Sequence, residues 1–453
     1  MFPNCFWQLK SQSLRRFLFR GTEGGNVSII FSFAMLALAL AGGAAIDFGR
    51  LTVARTSLAA AADAAILQVG SSPLEKPDEM RVLAQKVLQQ NFEQDEHGDI
   101  VDLSLDYNGG VITLSAVARF KSSFMGIVGV PTVDLPVTAE VTRSGNNIEV
   151  SLVLDTTGSM KGSRIAALKK AAKEFVDTVV WDKQTLLYSK AAVIPYSMGV
   201  NVGALADTVR GTASSGTCTA PGCQYYKFKN QFKSNKTFAA STCVSERIGP
   251  EAYTDASVLG AKVGFNYPSP NNPCLKYEVI PLTANKTRLS AAIDDLDGSG
   301  STASQVGVAW GWYVLSRDFG VWAGENQPAA YGTKNVSKIA VIMTDGEFNS
   351  SYCNGVIAKS STYGSGSDDD KIDCSAPNGS AIEQVQKLCS AMKKKGIVIY
   401  TVGFDIEKLE IVKQTLTNCA TSASNAYLAA TSDQLSSAFQ EIGRKVTGLR
   451  LSK

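Results

Sequence analysis

The hydrophobic pattern of the chain begins with a long helical signal. Residues 27–46, VSIIFSFAMLALALAGGAAI, carry no charge and match the length of one helix across a bilayer core of about 30 Å. Residues 47–69 extend this helix, and small apolar residues recur on one face at spacings of three and four: Leu51, Ala54, Leu58, Ala61 and Ala65. We expect that face to lie on a sheet of its own domain, with packing into a larger assembly as the alternative.

The next pattern predicts a small α+β module that completes a region over residues 47–143. Two prolines in GSSPLEKPD end the long helix, and a short helix over 78–93 follows. The alternating segments IVDLSLDY and GVITLSAVARF flank NGG, which predicts a hairpin. The segment TVDLPVTAEV supplies a third strand.

From residue 147 to 450, apolar strands alternate with amphipathic helices. This order predicts an α/β domain with a parallel sheet covered by helices. The predicted strands are IEVSLVL, SKAAVIPYS, KIAVIMTD, GIVIYTVGF and NAYLAA. Two polar stretches with several cysteines, at about 210–285 and 349–380, interrupt the alternation. We expect both to be disulfide-rich inserts at an edge of the sheet.

Charge sets the expected topology. Four basic residues precede the apolar run: Lys10, Arg15, Arg16 and Arg20. By the positive-inside rule, residues 1–26 stay in the cytoplasm as a basic N-terminus and the bulk of the chain is exported. A cleaved signal peptide ending near Ala39-Leu40-Ala41 is the alternative, but the apolar run continues unbroken past Ala41. Net charge is only +3, so nucleic acid is not an expected partner.

Cysteine usage agrees with export. Cys5 precedes the apolar run, and eight cysteines follow it: Cys218, Cys223, Cys243, Cys274, Cys353, Cys374, Cys389 and Cys419. An even number suits an oxidising compartment and up to four disulfides. Cys389 and Cys419 lie in elements that flank one strand, which predicts a bond between them. Cys353 and Cys374 bracket one insert and are a second candidate pair.

Three polar segments follow strands or precede a helix in the 147–450 region. DTTGS places Asp155, Thr157 and Ser159 at alternate positions at a strand end, where such side chains point the same way, and Gly158 permits a tight turn that helps them converge. Thr302 lies on a Gly-rich loop, and Asp345 ends the strand VIMTD. Ligands of an open parallel sheet bind beyond the carboxyl ends of its strands, so the three loops can converge there.

Those five side chains offer only oxygen donors, two carboxylates and three hydroxyls. Such a set favours a hard cation, Mg²⁺ with Mn²⁺ or Ca²⁺ as substitutes. Three neutral hydroxyls leave the ion short of negative charge, so a carboxylate from a partner protein is expected to complete its coordination. The alternative is that Asp, Thr, Ser and Gly serve only as turn and cap residues.

The same segments resemble the metal-ion-dependent adhesion site (MIDAS) of von Willebrand factor A (vWA) domains. That family binds Mg²⁺ through an Asp-x-Ser-x-Ser motif, a Thr and an Asp, positions that Asp155, Thr157, Ser159, Thr302 and Asp345 would occupy. Thr157 stands where Ser is usual. The resemblance implies a doubly wound, mostly parallel, Rossmann-like sheet.

The order of parts along nearly the whole chain resembles the TadG-like proteins of Flp/Tad pilus assembly. The resemblance rests on the basic N-terminus, GGNVSIIF, AIDFGR, AADAA, and a C-terminal vWA region with VAWGW and MTDGEFN. It implies a single-pass protein of the bacterial inner membrane, mostly periplasmic, that binds a pilus-assembly component.

Two other functions remain open. A surface adhesin would use the same metal site on a host or matrix ligand. A metal-dependent hydrolase or NTPase is less favoured, because no GxxxxGK[ST] motif occurs and the single histidine, His97, lies in a charged segment. The sequence therefore predicts a binding protein and not an enzyme.

Overall fold

The computed structural model describes residues 24–72, 74, 76–108, 111–142, 146–184 and 187–448. The chain divides into two compact units, Met1–Arg143 and Ser144–Lys453. The predicted cytoplasmic basic segment up to residue 23, including Cys5, lies outside the described residues, so its topology stays a prediction.

The first unit combines three helices with one antiparallel sheet. The helices are α1 (Gly24–Ser71), α2 (Pro77–Asn91) and α3 (Gln94–His97). The strands, in the order β1-β2-β3, are β1 (Asp99–Asn108), β2 (Val111–Lys121) and β3 (Thr132–Thr142). Strands β1 and β2 pair antiparallel up to Asn108 and Val111, which confirms the predicted hairpin.

Helix α1 has two halves with different surroundings. Its first half exposes large apolar side chains such as Leu38, and it is the one helix in the described residues that is long and apolar enough to cross a membrane. Its second half buries Ala54, Leu58 and Ala65 in a core shared with α2 and the sheet. This confirms that the small-residue face of α1 lies on the sheet of its own unit.

The second unit is a mixed α/β domain. Its helices are α4 (Ser163–Val179), α5 (Ala206–Arg210), α6 (Lys286–Asp294), α7 (Ser304–Tyr313), α8 (Ala381–Lys394), α9 (Glu410–Cys419) and α10 (Ser432–Gly448). Its strands are β4 (Asn147–Asp155), β5 (Ser189–Tyr196), β6 (Val200–Asn201), β7 (Ser214–Cys218), β8 (Cys223–Lys229), β9 (Asn235–Ala239), β10 (Cys243–Ser245), β11 (Gly264–Phe265), β12 (Ile280–Thr283), β13 (Val336–Thr344), β14 (Tyr352–Cys353), β15 (Val356–Ile357), β16 (Val398–Phe404) and β17 (Ala426–Ala429).

The main sheet has the strand order β12-β5-β4-β13-β16-β17. Neighbours from β5 to β17 are parallel, whereas β12 runs antiparallel to β5, so the sheet is mixed. The sequence interpretation placed residues 280–283 inside an insert and missed this edge strand. The reason is that an antiparallel return needs no helical crossover, and the four-residue strand IPLT gives little periodic signal.

Helices cover both faces of the main sheet. Leu152 and Leu154 of β4 pack in a core with α4, α6 and α10, while Val153 packs with α7 and α8 on the other face. Burial of both faces explains why the central strands are mostly apolar on both sides, and the buried charges Glu149 and Lys338 pair with each other across β4 and β13. Helix α7 lies close to the sheet because Gly311 has no side chain: a Cβ there would be 2.4 Å from the Val153 Cγ2 atom.

The two predicted inserts carry small antiparallel and mixed sheets and three of the disulfides. The bonds Cys389–Cys419 and Cys353–Cys374 confirm the two predicted pairs. The other two bonds, which the sequence left open, are Cys218–Cys223 and Cys243–Cys274.

The buried carboxyl of Glu246 forms hydrogen bonds that fix the start of the insert at 349–380. Its Oε1 atom accepts a hydrogen bond from the Tyr352 backbone N–H at 2.9 Å, and the side-chain amides of Gln384 and Gln305 donate to its two oxygens. Burial raises the pKa of Glu246 to about 7 despite these donors. The charged form of Glu246 is therefore disfavoured in the folded state.

We expect Glu246→Gln to stabilise the protein at high pH and not at low pH. In the wild-type chain, the unfolded state loses this proton at about pH 4.5 and the folded state at about 7. The free energy of unfolding of the wild-type protein therefore falls as pH rises through that window. The total loss, complete above about pH 7, is about 3 kcal/mol. Unfolding midpoints of both proteins at pH 5 and pH 8 measure the effect, with exposed Glu410→Gln as the control. An equal stability difference at both pH values would contradict the prediction.

Candidate metal centre

Asp155 ends β4 and is fully buried. Its Oδ1 accepts the Thr157 backbone N–H at 2.9 Å, and its Oδ2 accepts the Thr344 hydroxyl at 2.7 Å and the Tyr196 hydroxyl at 3.2 Å. The two hydroxyl donors end the strands that flank β4, Tyr196 on β5 and Thr344 on β13, so the carboxylate is held by the end of the sheet. Neither Tyr196 nor Thr344 was singled out from the sequence.

Thr157 and Ser159 join Asp155 through a tight turn at Gly158, as predicted, whereas the predicted extended strand ends earlier, at Asp155. Strand β4 stops at Asp155, and a 3-10 turn over Gly158–Met160 follows. The turn brings the Thr157 and Ser159 hydroxyl oxygens to 2.9 Å from each other. Convergence therefore comes from the turn, because strand alternation ends with the ladder.

The loop of Thr302 lies directly against this turn. The Gly158 N–H donates to the Gly300 carbonyl at 2.8 Å, and the Ser299 N–H donates to the Thr156 carbonyl at 2.9 Å. The close approach of the two loops requires a glycine at position 298, because a Cβ there would lie 2.5 Å from the Lys161 backbone nitrogen. Thr302 itself is only 4% exposed.

Asn349 fixes the backbone of Thr302 from the loop that follows β13. The Thr302 N–H donates to the Asn349 side-chain oxygen at 2.9 Å, and the Thr302 carbonyl accepts the Asn349 N–H at 3.1 Å. This asparagine lies in the MTDGEFN segment quoted for the family resemblance, but no role for it was predicted from the sequence. These two hydrogen bonds indicate that Asn349 positions the loop of Thr302.

Asp345 connects the third loop to the first. Its Oδ1 accepts the Ser159 hydroxyl at 2.6 Å, so Thr157, Ser159 and Asp345 form one hydrogen-bonded chain. Four of the five predicted residues are thus linked by direct contacts, since Asp155 also accepts the Thr157 N–H. Thr302 lies in the adjoining loop.

A cation of the chain itself faces this cluster. Arg164, in the first turn of α4, donates from Nη1 to the Asp345 Oδ2 atom at 3.1 Å and pairs through Nη2 with Asp405. Asp405 follows β16 with φ 54°, a left-handed conformation that Asp tolerates better than most residues. The sequence analysis missed both residues, because neither belongs to a recognisable motif.

The electrostatics of the cluster suit a bound cation. Burial raises the pKa of Asp155, and burial together with the nearby Asp155 carboxylate raises the pKa of Asp345 to about 7. Two buried carboxyls close together, bordered by hydroxyls and balanced by one partly exposed guanidinium, lack positive charge. The residues present therefore fit a hard divalent cation, which Asp155, Thr157, Ser159, Thr302 and Asp345 would hold.

We expect Arg164→Ala to increase the affinity for Mn²⁺ by about fivefold. The Arg164–Asp345 ion pair competes with metal for one carboxylate oxygen, and a partly exposed pair contributes about 1 kcal/mol. Calorimetric titration of the full-length chain measures the change, with Arg164→Lys, which keeps the charge, as the matched control. Equal or weaker binding by the alanine variant would show that Arg164 does not compete.

The chain that carries this centre combines an apolar helix with a mixed α/β domain later in the sequence. Residues 25–71 match a family described as "Putative Flp pilus-assembly TadE/G-like". The match covers helix α1, about a tenth of the chain. No curated protein matches the sequence at a significant level.

Solved structures with some similarity include several with vWA-type domains. One is the vWF domain of the type V pili tip protein Mfa5 from Porphyromonas gingivalis, at 12% identity and a TM-score of 0.38, covering 68% of this chain and 97% of that one. Another is the adhesive tip pilin GBS104 of Group B Streptococcus agalactiae, at 9% identity and a TM-score of 0.37, covering 76% and 68%. A third is proximal thread matrix protein 1 of the mussel byssus with a zinc-occupied MIDAS motif, at 14% identity and a TM-score of 0.32, covering 68% and 47%.

Proposed function

We propose that the Ser144–Lys453 unit is a vWA domain with a MIDAS-type site. Its ligands are Asp155, Thr157, Ser159, Thr302 and Asp345, and its physiological ion is Mg²⁺, with Mn²⁺ or Ca²⁺ as substitutes. The observation that carries this proposal is the hydrogen-bonded chain from Thr157 through Ser159 to Asp345, beside the buried carboxyl of Asp155. These groups come from two strand ends of one sheet edge, where such folds bind ligands.

The proposed role of the site is binding. Its named side chains are carboxylates, hydroxyls and one guanidinium, with no imidazole or thiol to serve as a base or nucleophile. A divalent ion held by two carboxylates and three hydroxyls keeps a strong preference for one more anionic oxygen. A carboxylate on a partner protein supplies it.

The proposed setting is a membrane-anchored envelope protein of Flp/Tad pilus assembly. The family match over residues 25–71 and the apolar first half of α1 support it. The chain would cross the bacterial inner membrane once through residues 27–46, with the N-terminus in the cytoplasm. Four disulfides in the second unit support an oxidising, periplasmic location for that unit.

Partner capture from intact envelopes tests the proposed role. The wild-type chain should retain a pilus-assembly protein in Mg²⁺ and release it when a chelator is added. Thr157→Val, which removes a hydroxyl without changing side-chain size, should lose the partner, whereas Thr157→Ser should keep it. Equal capture by all three proteins with and without chelator would overturn the proposal.

Cell fractionation separates pilus assembly from the alternative, adhesion to a host or matrix ligand. Retention of the chain in the inner membrane, with residues 144–448 digested by protease added to spheroplasts, supports an assembly role. Exposure of the same region on intact cells supports an adhesin. Protection of the region until lysis would contradict the proposed orientation.

A further inference from the structure

The loop between β2 and β3 exposes several large apolar side chains. Residues 122–133 carry no charge, and four side chains in the loop are well exposed: Phe124 at 41%, Ile127 at 72%, Val128 at 59% and Val130 at 40%. Exposed apolar residues usually occur singly, so four in a loop of this size mark a contact surface.

This loop is fixed to helix α1 at the end of the apolar run. Asp47, the first residue after that run, is fully buried and accepts three backbone N–H groups of the loop, from Ser123 at 3.1 Å, Phe124 at 2.6 Å and Met125 at 2.7 Å. Arg50 reinforces the joint, since it donates to the Ser123 hydroxyl at 2.9 Å. The position of the loop along α1 is therefore set by specific hydrogen bonds.

Phe124 reaches back along α1 into the apolar run. Its ring lies on Gly43, where a Cβ would be 2.6 Å from the ring carbon Cγ. Gly43 precedes Asp47 by four residues, about 6 Å along a helix. The loop thus runs beside the last turn of the apolar run, where the partly exposed Phe124 ring lies against the helix and Ile46 is also exposed.

Two basic side chains lie beside the loop. Arg50 lies one turn beyond Asp47 with its guanidinium 5.4 Å from the centre of the Phe120 ring, and Lys121 pairs with Asp99 at 3.1 Å. Basic side chains next to exposed apolar ones suit the region of a bilayer where acyl chains meet headgroups.

We propose that the β2–β3 loop inserts into the outer interface of the bilayer that holds α1, as a second membrane contact. The occupant of its apolar surface is lipid, because Phe124 of the loop lies against the proposed span at Gly43. The inference rests on the proposed anchoring of α1. Insertion at two points would fix the tilt and rotation of the first unit at the membrane, which one helix alone does not.

Lipid quenching of single fluorescent labels tests this in the full-length chain. Cys5→Ser removes the one cysteine outside the four disulfides, so an added cysteine can be labelled alone. Ile127→Cys probes the loop, Leu36→Cys probes the span, and Val101→Cys, 44% exposed on β1, is the matched control in the same unit. The proteins are reconstituted in nanodiscs with lipids brominated near the headgroup or near the chain end.

We expect lipids brominated near the headgroup to quench the label at 127 by about twofold, since interfacial segments lie at the headgroup–acyl boundary. The label at 36 should respond to the deeper bromines, and the label at 101 to neither. No quenching at 127 with normal quenching at 36 would overturn the loop proposal and leave the anchor intact. No quenching at 36 would overturn the anchor itself. If the label at 127 escapes lipid quenching and the unlabelled Ile127→Cys variant forms a disulfide with a second copy, the loop contacts protein in place of lipid.

Discussion

Asp155→Asn is expected to abolish the Mn²⁺-dependent stabilisation of the protein while leaving the metal-free fold intact. A ligand that binds only the folded state stabilises it by about 2.7 kcal/mol at one hundred times its dissociation constant. The variant keeps the size of a fully buried side chain but removes one of the two carboxylates. Because burial already disfavours the charged form of Asp155, with its pKa raised, the metal-free variant should be at least as stable as wild type.

Thermal unfolding with and without Mn²⁺ measures this effect. Trp310 and Trp312 are buried in the second unit and report its unfolding by fluorescence in the full-length chain. Asp177→Asn, an exposed aspartate on α4, is the matched control and should keep the full metal response. If Mn²⁺ stabilises Asp155→Asn as much as wild type, Asp155 is not a ligand. If wild type shows no metal response at all while folded, the alternative of turn and cap residues holds.

The periodic parts of this fold could be predicted from the sequence, because burial imposes a pattern on them. The small residues of α1 recur at helical spacing since that face lies on a sheet, and β4 and β13 are mostly apolar since both of their faces are covered. The antiparallel edge strand β12 was missed, because its placement depends on the path of an insert and not on its own four residues.

The candidate site likewise has parts that could be predicted from the sequence and parts that could not. Asp155 and Asp345 follow strands directly, so topology brings them to one edge, whereas the convergence of Thr157 and Ser159 depends on a 3-10 turn that no periodicity predicts. Arg164 and Asp405 are far apart in sequence and meet only because α4 and the end of β16 adjoin the same edge. Their roles come from tertiary contacts, which one sequence does not encode as a motif.

Removal of the Cys389–Cys419 bond is expected to destabilise the protein more than removal of the short-loop Cys218–Cys223 bond. The bond joins α8 to α9 across 30 residues, and both cysteines are almost fully buried. In the chain-entropy account, a loop of this size contributes about 3 to 4 kcal/mol, whereas the five-residue loop of Cys218–Cys223 contributes about 2 kcal/mol.

Denaturant unfolding of the full-length chain compares two double variants, Cys389→Ala/Cys419→Ala and Cys218→Ala/Cys223→Ala. The second variant is the control for the loss of a disulfide as such. Thiol trapping in intact cells should find none of these four cysteines free, because an exported domain folds under oxidising conditions. Free thiols at Cys389 and Cys419 in the cell would contradict the expected oxidising location. Equal destabilisation by the two double variants would contradict the loop-closure argument.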